Sequence, residues 1–556
     1  MKVVGKLLLT LIALLLLMLV AAYFVLQSQW GARQISAWVN DHTRYRITLG
    51  GVHHDIRHPR ALQLTDFSLA RAGQPSELHA ATVTLTFGGQ QFSTPRHFSA
   101  IRLTRGTLRL TATGLPALPV SANTLQLQEM RLDWPQSDWP LQATGVDGGI
   151  VPLQSGSPHV AFQFSAATLR IGEIPAQNVL IQGEYRDRQL WLTNLGADLA
   201  NGQMTAQARR LADGAWNIES IRLSQIHWQS PQALRPFLQT LKRLPPLTLQ
   251  RLELLGANLE GNGWALSGLD ASLSHVSLTR GDWHSRQGTL AFNARDIVLG
   301  GIHLSEPLFD ADLTPQGISI RQFSTRWDNA LLRTSGSWRR DTGALALNDL
   351  AIVGLEYSLP TNWRELWLRP LPNWLATITL DHFSLSRTLL VDVNPEFPFQ
   401  MTALDGFGNQ VTLARQHRWG IWHGQMQFNA SEATFNKVDL RRPSFTLQAD
   451  EQGIRIDDLS AISQKGLLEA NVSLNRRDDR LSLTLNGRGV PANQLNAWGW
   501  PSLPLQGDVN LQLSLHAPLR ATTPFRPGVN ATLNAQDANG HHLQQRMVDG
   551  VLMTSE

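Results

Sequence analysis

LQLTDFSL, residues 62–69, carries the pattern that decides the fold. Its apolar residues stand at the first, third, sixth and eighth positions. They do not gather on one side of a 3.6-residue helix, but they fit two strand segments whose alternation slips by one residue. A β-bulge adds one residue to a strand, so the apolar side chains on either side of it can share a face. The eight-residue phrase therefore predicts a bulged strand with one apolar face.

The phrase recurs along the chain at irregular spacing, which argues against a fixed-period solenoid or propeller. Complete copies begin at Leu125, Leu247 and Ile378, and looser copies begin at Ile221, Ala271, Phe292 and Ala433. Strict alternation of apolar residues appears at Val83, Leu85, Phe87 and at Val160, Phe162, Phe164. We predict a mainly β fold, in which few short helices accompany a long, twisted, one-faced antiparallel sheet.

The composition agrees with a β protein and excludes several functions. Charged residues make up 17% of the chain, and 48 Lys plus Arg against 44 Asp plus Glu give a net charge of +4. This mild charge predicts neither a nucleic-acid partner nor an acidic substrate. Cysteine is absent, which excludes disulfides and thiolate chemistry. We expect most of the 18 tryptophans in the core, although pairs such as Trp363 and Trp367 suit a membrane interface.

The N-terminus predicts a membrane anchor. Residues 7–26 carry no charge, and at about 1.5 Å per residue they span a hydrocarbon core of about 30 Å. The predicted anchor residues are Leu7, Leu11, Leu15, Leu19, Phe24 and Leu26. A cleaved signal peptide is less favoured, because its apolar region is usually shorter and no small-x-small cleavage site follows. Lys2 and Lys6 place residues 1–6 in the cytoplasm.

Helices are expected at few places beyond the anchor. Ile35, Trp38 and Val39 form a stripe that docks on the first strands, which begin near Tyr45. Further helices are predicted at 230–244, 362–368 and 495–498, the first of them capped by Ser230-Pro231. Glycine-rich clusters at 145–149 and at Asn201-Gly202 predict turns.

The predicted domains are a cytoplasmic end at 1–6, a transmembrane helix at 7–26, a β domain at 27–516 and a final strand and tail at 517–556. The helix near 230–246 either separates two β halves or plugs one continuous sheet, and the pattern does not distinguish these arrangements.

Short motifs give no support for catalysis. Asp341-Thr342-Gly343 matches an aspartic protease triplet but lacks the second carboxylate that shares a proton. Gly487-x-Gly489-x-x-Ala492 matches a dinucleotide fingerprint without a surrounding βαβ unit, and we interpret its glycines as a turn. His53-His54 and His541-His542 point to opposite faces of a strand, which suits solvent better than a metal. We predict a protein that is not an enzyme, with no catalytic, cofactor-binding or metal site.

The order of these features resembles the AsmA family. The N-terminal helix is followed by an amphipathic turn that ends near Asn40 and by the stretch from Tyr45 to Pro59. Near the C-terminus, Val490-Pro491 and the alternation from Leu505 to Leu513 are similar to the closing segment of the family. The resemblance covers nearly the whole chain.

This resemblance implies a single-pass protein of the bacterial inner membrane whose bulk is periplasmic. It also implies a sheet curled into a groove of the bridge-like lipid transfer type. The expected function is to bind acyl chains and to contribute to phospholipid transport between membranes, outer-membrane assembly and envelope homeostasis. The expected partners are membrane phospholipids, the inner membrane and an outer-membrane or periplasmic protein. Alternation alone nominates Val83, Leu85, Phe87, Phe162 and Phe164 for the groove.

An alternative keeps the membrane tether and closes the sheet on itself. Two apolar faces that pack on each other form an ordinary β core, and such a scaffold would bind protein partners and regulate outer-membrane protein targeting or assembly. The sequence leaves lipid identity, direction of transport and energy source open.

Overall fold

The structure, a computed structural model, describes the backbone of most of the chain. The described residues are 2–89, 93–111, 119–135, 140–154, 156–172, 174–240, 245–464, 466–519 and 526–553, without the side chains of 2–10 and 240. They form 35 strands and few helices, which confirms the predicted mainly β fold. The predicted anchor residue Leu7 lies outside the described side chains.

The described helices are mostly short. They are α1 (Lys2–Leu26), α2 (Gln29–His42), α3 (Leu234–Thr240), α4 (Trp363–Leu368) and α5 (Gln494–Ala497), with a 3₁₀ turn at Arg526–Gly528. The predicted helices at 362–368 and 495–498 are therefore confirmed within a residue of their bounds.

Among the residues that the structure describes, the first part of the chain forms fourteen strands. They are β1 (Tyr45–Thr48), β2 (Gly51–His54), β3 (Ala61–Arg71), β4 (Leu78–Thr86), β5 (His97–Arg109), β6 (Ser121–Trp134), β7 (Leu141–Val151), β8 (His159–Ile171), β9 (Ile174–Arg186), β10 (Gln189–Leu199), β11 (Gly202–Arg210), β12 (Trp216–Ser224), β13 (His227–Ala233) and β14 (Leu247–Asn262).

The middle of the chain continues with β15 (Trp264–Thr279), β16 (Asp282–Trp283), β17 (Gly288–Asn293), β18 (Asp296–Leu299), β19 (Ile302–Thr314), β20 (Gly317–Trp327), β21 (Ala330–Arg339), β22 (Ala344–Val353), β23 (Glu356–Ser358), β24 (Thr377–Asp392) and β25 (Phe399–Arg415). The last strands are β26 (Arg418–Asn429), β27 (Glu432–Phe435), β28 (Val438–Ala449), β29 (Gly453–Ser463), β30 (Gly466–Asn475), β31 (Arg480–Pro491), β32 (Asp508–Pro518), β33 (Asn530–Asp537), β34 (His542–Val548) and β35 (Val551–Met553).

The chain divides into two compact units. The first unit comprises Met1–Glu260 with Ser277–Asp282, and the second comprises Gly261–Val276 with Trp283–Glu556. In the first unit β3 to β5 and β6 to β12 are antiparallel neighbours, while β5 with β6 and β12 with β14 are parallel. In the second unit β19 to β22 are antiparallel, β22 with β24 is parallel, and the ladder then continues antiparallel to β35.

In β3 and β6 the eight-residue phrase forms a bulged strand, as predicted. Asp66 in β3 and Glu129 in β6 occupy the fifth position of the phrase and have φ of 47° and 53°. The next residue after such a bulge returns to the apolar face, and Met130 there is completely buried. Left-handed residues recur inside strands at Arg105, Gly145, Asn178, Gly256, Gly268, His275, Glu306, Arg387, Ala403, Gln410, Arg442, Asp458 and Gly489. The bulges keep the apolar side chains of long strands on one face.

Side chains on neighbouring strands compensate for the ladder bonds that bulges remove. Asp147 Oδ1 on β7 accepts the Glu129 amide at 2.9 Å, and Asp405 Oδ1 on β25 accepts the Arg387 amide at 2.9 Å. A polar side chain opposite a bulge therefore accepts a backbone hydrogen bond that the neighbouring strand would otherwise accept.

Glycine-rich segments mark bulges in this protein as well as turns. Gly145 to Gly149 lie inside β7 and do not form the predicted turn. A Cβ at Gly148 would stand 2.1 Å from the Gln163 carbonyl oxygen, so glycine permits the close approach of β8. Gly487 and Gly489 likewise lie inside β31, which corrects the turn predicted there.

The predicted helix at 230–244 is shorter than expected. Ser230-Pro231 belongs to the extended strand β13, in which Trp228 and Ser230 are half-buried between exposed neighbours, and the helix begins only at Leu234. Residues 241–244 lie outside the described part. The alternation of half-buried and exposed residues therefore determines the structure at 227–231, although Ser230-Pro231 has the sequence of a helix cap.

Proline pairs stand in the connections between parallel strands. They are Pro116 and Pro119 before β6, Pro245 and Pro246 before β14, and Pro370 and Pro372 before β24. A connection between parallel neighbours has to cross one face of the sheet. In the second unit Leu371 and Leu375 bury their side chains against Ile378 and Ala414, so this connection crosses the apolar face.

Among the described residues, no single helix meets the length and hydropathy expected of a membrane span. The helical pair Leu11–Leu26 and Gln29–His42 meets them jointly, with a bend of 79° between its two parts. The predicted transmembrane helix and the curled groove remain predictions.

Candidate functional site

A cavity of about 610 Å³ lies in the first unit, where α2 meets the apolar face of the first strands. Its lining is almost entirely apolar. The described lining residues are Trp38, Val39, His42, Thr43, Tyr45, Ile47, Leu64, Phe67, Leu69, Leu78, Val83, Leu85, Arg96, Phe98, Ile101, Leu103, Pro119, Val120 and Leu125. We refer to it as the apolar pocket.

The sheet side of the pocket follows from strand register. Leu64 on β3 pairs with Val83 on β4, which pairs with Leu103 on β5, so these three side chains form one row on the apolar face. The next row, Gln63 with Thr84, points to the opposite face. The bulge at Asp66 then brings Phe67 back onto the pocket side.

Hydrogen bonds fix α2 over this face. The Ser28 hydroxyl caps the helix by accepting the Gly31 amide at 3.2 Å. Near the other end, the Asn40 side-chain amide donates to the Ile47 carbonyl at 3.2 Å, and Asn40 Oδ1 accepts the Ile47 amide at 2.7 Å. Asn40 thereby bonds the β1 backbone much as a neighbouring strand would.

The end of α1 is also attached to the sheet. The Tyr23 hydroxyl donates to the His54 carbonyl at 3.2 Å and lies 3.0 Å from His54 Nδ1. The exposed apolar side chains of α1 lie on both sides of this contact in the sequence: Leu11, Leu15, Leu19, Phe24 and Leu26 are each more than half exposed. The pocket thus follows directly after the most apolar segment of the chain.

The structure separates the five side chains that alternation nominated. Val83 and Leu85 line the pocket. Phe87 lies beside it and packs on Phe98 with ring centroids 5.7 Å apart. Phe162 and Phe164 stack at 6.2 Å on β8 and join the same hydrophobic cluster without lining the pocket.

Several residues that line the pocket were not predicted from the sequence. Tyr45, Phe98 and Ile101 were not nominated for the groove. A signal for Ile101 was present, because residues 101–108 follow the eight-residue phrase with Arg105 at the bulge and glycine at the sixth position. The stripe of Trp38 and Val39 did indicate the covering helix.

The only titratable side chains among the described lining residues, apart from Tyr45, are His42 and Arg96. His42 stacks on Trp38 at 5.2 Å, and Arg96 is exposed. Chemically, the pocket offers apolar surface with a cation at its edge. Such a lining suits an aliphatic chain better than a polar substrate.

Carboxylates with shifted pKa values lie away from the pocket. A hydrogen bond from His159 lowers the pKa of Glu184, and one from Arg222 lowers the pKa of Glu253. Glu184 lines a second, more open depression of about 840 Å³ with Gln126, Gln163 and Gln182. Phe162 also lines this second depression, together with Leu127 and Val151. We favour the apolar pocket as the functional site because polar and apolar groups contribute comparably to the second depression, whereas the apolar pocket has few polar groups.

The apolar face of the second unit carries rows of phenylalanine. Phe292, Phe309 and Phe323 lie on three neighbouring strands, with centroid separations of 5.2 and 6.3 Å. A second row comprises Phe383, Phe428 and Phe445. All six rings are only half-buried. This unit therefore also presents apolar surface that its own side chains leave partly uncovered.

The fold and pocket together define a class: a β protein built from bulged strands with one apolar face, preceded by an apolar helix. No family model matches the chain. The AsmA family protein YicH of Escherichia coli strain K12 is 42% identical over 562 residues, which cover 100% of this chain and 99% of that protein. The chain belongs to the AsmA family.

Proposed function

We propose that this protein is a single-span, inner-membrane-anchored envelope protein that binds lipid acyl chains on its apolar face. In this proposal it contributes to phospholipid transport between membranes and to outer-membrane assembly, and it performs no catalytic step. Its bulk is periplasmic and residues 1–6 are cytoplasmic. Membership of the AsmA family supports the envelope assignment, since it extends over the full chain.

The observation that carries the proposal is the apolar pocket. Its volume of about 610 Å³ falls within the range of about 300–1,000 Å³ typical of small-molecule sites. Leu64 and Leu85 line it while remaining only half-buried, so apolar surface is available to a ligand. Each Å² of apolar surface that an acyl chain removes from water would contribute about 25 cal/mol to the free energy of binding.

The exposed side chains of α1 support the membrane anchor. A run of leucines that is exposed on most sides is unfavourable in water and favourable in hydrocarbon. Because Tyr23 joins the end of this helix to β2, an anchored helix would hold the pocket close to the bilayer.

A binding assay with the full-length chain in nanodiscs tests the proposal. The probe is cis-parinaric acid, a fluorescent fatty acid, titrated into wild type and into Leu64→Trp. We expect the larger ring to fill the pocket and to weaken binding at least tenfold. Gln63→Trp is the matched control, because Gln63 precedes Leu64 on β3 but is exposed on the opposite face.

Equal binding by wild type and Leu64→Trp would overturn the proposed site. Failure of wild type to bind the probe at all would favour the alternative, a tethered scaffold with a closed β core that binds protein partners. Circular dichroism on both variants checks that the sheet is retained.

A further inference from the structure

The connection from β22 to β24 in the second unit carries an exposed apolar surface. It comprises Leu366, Trp367, Leu368 and Trp374, whose exposed fractions are 38%, 44%, 65% and 60%. We refer to these four residues as the Trp-Leu surface. Four large apolar side chains exposed within nine residues exceed the scattered single exposures that are normal in soluble proteins.

This exposure does not come from a loose chain end, because the segment is fixed to the sheet on both sides. The Trp363 indole donates to Asp392 Oδ2 at 3.1 Å. The Leu371 amide donates to the His417 carbonyl at 2.7 Å, and the Leu371 side chain is buried. The exposed side chains are therefore held outward by buried neighbours.

Other tryptophans support the two exposed indoles. Trp367 stacks on Trp419 with centroids 5.7 Å apart. Trp374 meets the edge of Trp338 at 6.3 Å, and its carbonyl accepts the Trp338 indole at 3.1 Å. Indole rings combine a large apolar body with one polar donor, which is why they concentrate at the boundary between lipid and water.

Positive charge flanks the Trp-Leu surface. Arg364 and Arg369 are exposed, and neither forms an ion pair within the part of the chain that the structure describes. Glu365 is the only acidic residue between Glu356 and Asp381. A cationic, aromatic and aliphatic surface complements anionic headgroups over an acyl region, because the arginines meet phosphates while the apolar side chains enter the interface.

We propose that the Trp-Leu surface binds the headgroup region of an anionic phospholipid bilayer. Trp367, Leu368 and Trp374 enter the interface, and Arg364 and Arg369 contact lipid phosphates. The proposal is independent of the apolar pocket, which lies in the other unit, so either one can fail without the other.

Vesicle flotation tests this proposal. The full-length chain is held in nanodiscs of phosphatidylcholine and mixed with vesicles of phosphatidylcholine alone or with a fraction of phosphatidylglycerol. We expect wild type to float with the anionic vesicles and the Leu368→Ala/Trp374→Ala variant to lose at least tenfold in binding. Arg364→Gln/Arg369→Gln should remove the preference for phosphatidylglycerol while retaining the fold.

Phe407→Ala is the matched control, because Phe407 is another half-exposed aromatic residue of the second unit. It precedes Ala414 by seven residues on β25, and Ala414 is where Leu371 and Leu375 pack beside the Trp-Leu surface. Phe407→Ala should bind like wild type. Equal binding of all variants to anionic vesicles would overturn the proposal, as would equal binding of wild type to neutral and anionic vesicles. Absence of vesicle binding, with a periplasmic protein crosslinked at residue 368 instead, would identify a protein-docking surface and also overturn it.

Discussion

Many bulges in the sheet contain one residue with positive φ, as at Asp66, Glu129 and Gly489. Glycine is needed where two strands approach too closely for a Cβ. A Cβ at Gly408 in β25 would stand 2.2 Å from the Phe383 ring and 2.9 Å from the Met426 side chain. The Phe383 ring therefore packs over β25 at a position that has no side chain, and Phe428 does the same over Gly406, where a Cβ would stand 2.5 Å from its ring.

Gly408→Ala should therefore destabilise the protein by about 1–3 kcal/mol, as overpacking of an existing contact usually does. Chemical unfolding of the full-length chain in detergent, followed by circular dichroism, measures this. Gly196→Ala is the control, since no atom lies within 4 Å of a Cβ built there, and it should change stability by less than about 0.5 kcal/mol. Equal losses at the two positions would contradict the packing argument.

A buried carboxylate near the C-terminus makes stability depend on pH. The Asp537 side chain is 3% exposed and lies 2.8 Å from His541 Nδ1. The hydrogen bond from His541 lowers the pKa of Asp537, and backbone amides of Asn539 and His541 add to this effect. A carboxyl whose pKa is lowered by folding stabilises the protein fully above its unfolded pKa of about 4, and this contribution is lost as pH falls through the folded value.

Asp537→Asn should therefore be less stable than wild type at pH 7, and the difference should narrow as pH falls below about 4. Thermal unfolding of wild type and Asp537→Asn at pH 7, 5 and 3.5 measures the difference in stability and its change with pH. Asp381→Asn, at an exposed aspartate, should behave like wild type throughout. A difference for Asp537→Asn that stays constant with pH would contradict the role of its charge.

Side chains that form hydrogen bonds with backbone atoms help to position the helices of this fold on the sheet. The covering helix α2 joins β1 through the two hydrogen bonds between Asn40 and Ile47. Removing them leaves the helix held mainly by its buried residues Gly31 and Ala32, by Val39 and by its N-terminal cap. The helix that covers the pocket is then held more weakly, while the sheet below is unchanged.

Asn40→Ala should cost about 1 kcal/mol of helix docking, which corresponds to roughly fivefold faster amide exchange in α2. Hydrogen exchange with mass spectrometry on peptides that cover 29–48 measures this. Asp41→Ala, the exposed neighbouring position, should leave exchange unchanged. Equal exchange rates in Asn40→Ala and wild type would show that α2 is held by packing alone.

The sequence predicts strands and faces well because alternation and the bulged phrase act locally. Leu64, Phe67, Val83 and Leu85 were correctly placed on an apolar face from their spacing alone. The sequence predicts turns less well where glycine is involved. Gly145 to Gly149 form a bulge and allow a close approach of strands, but a turn would use the same residues. Local composition does not distinguish these uses.

The pocket itself was only partly predictable. Phe162 on β8 and Leu85 on β4 have the same alternating pattern, yet only Leu85 lines the pocket, because α2 covers the first strands. Arg96 and Pro119 join the lining through strand pairing that no local pattern records. The helix stripe at Trp38 and Val39 indicated a cover, but its position over β3 to β5 depends on the tertiary structure.

The molecule as a whole leaves apolar surface partly uncovered in both of its units, and the proposed function depends on this surface. In the first unit this surface is the pocket beside an apolar helix, and in the second it is the phenylalanine rows. Half-buried apolar faces on this scale are unfavourable in water unless a ligand, a membrane or a partner covers them. Lipid is the covering that the AsmA family membership and the apolar N-terminal helix favour together.

Site-specific photocrosslinking in living cells shows whether lipid covers the apolar face of the first unit. A benzophenone side chain is placed at Leu85, which lines the pocket, and in a matched strain at Thr84, which points to the opposite face of β4. After irradiation the adducts are analysed for phospholipid by mass spectrometry. The proposed function predicts phospholipid adducts from position 85 and none from position 84. Adducts from position 85 only to the protein itself would contradict it and would leave a closed β scaffold as the better description.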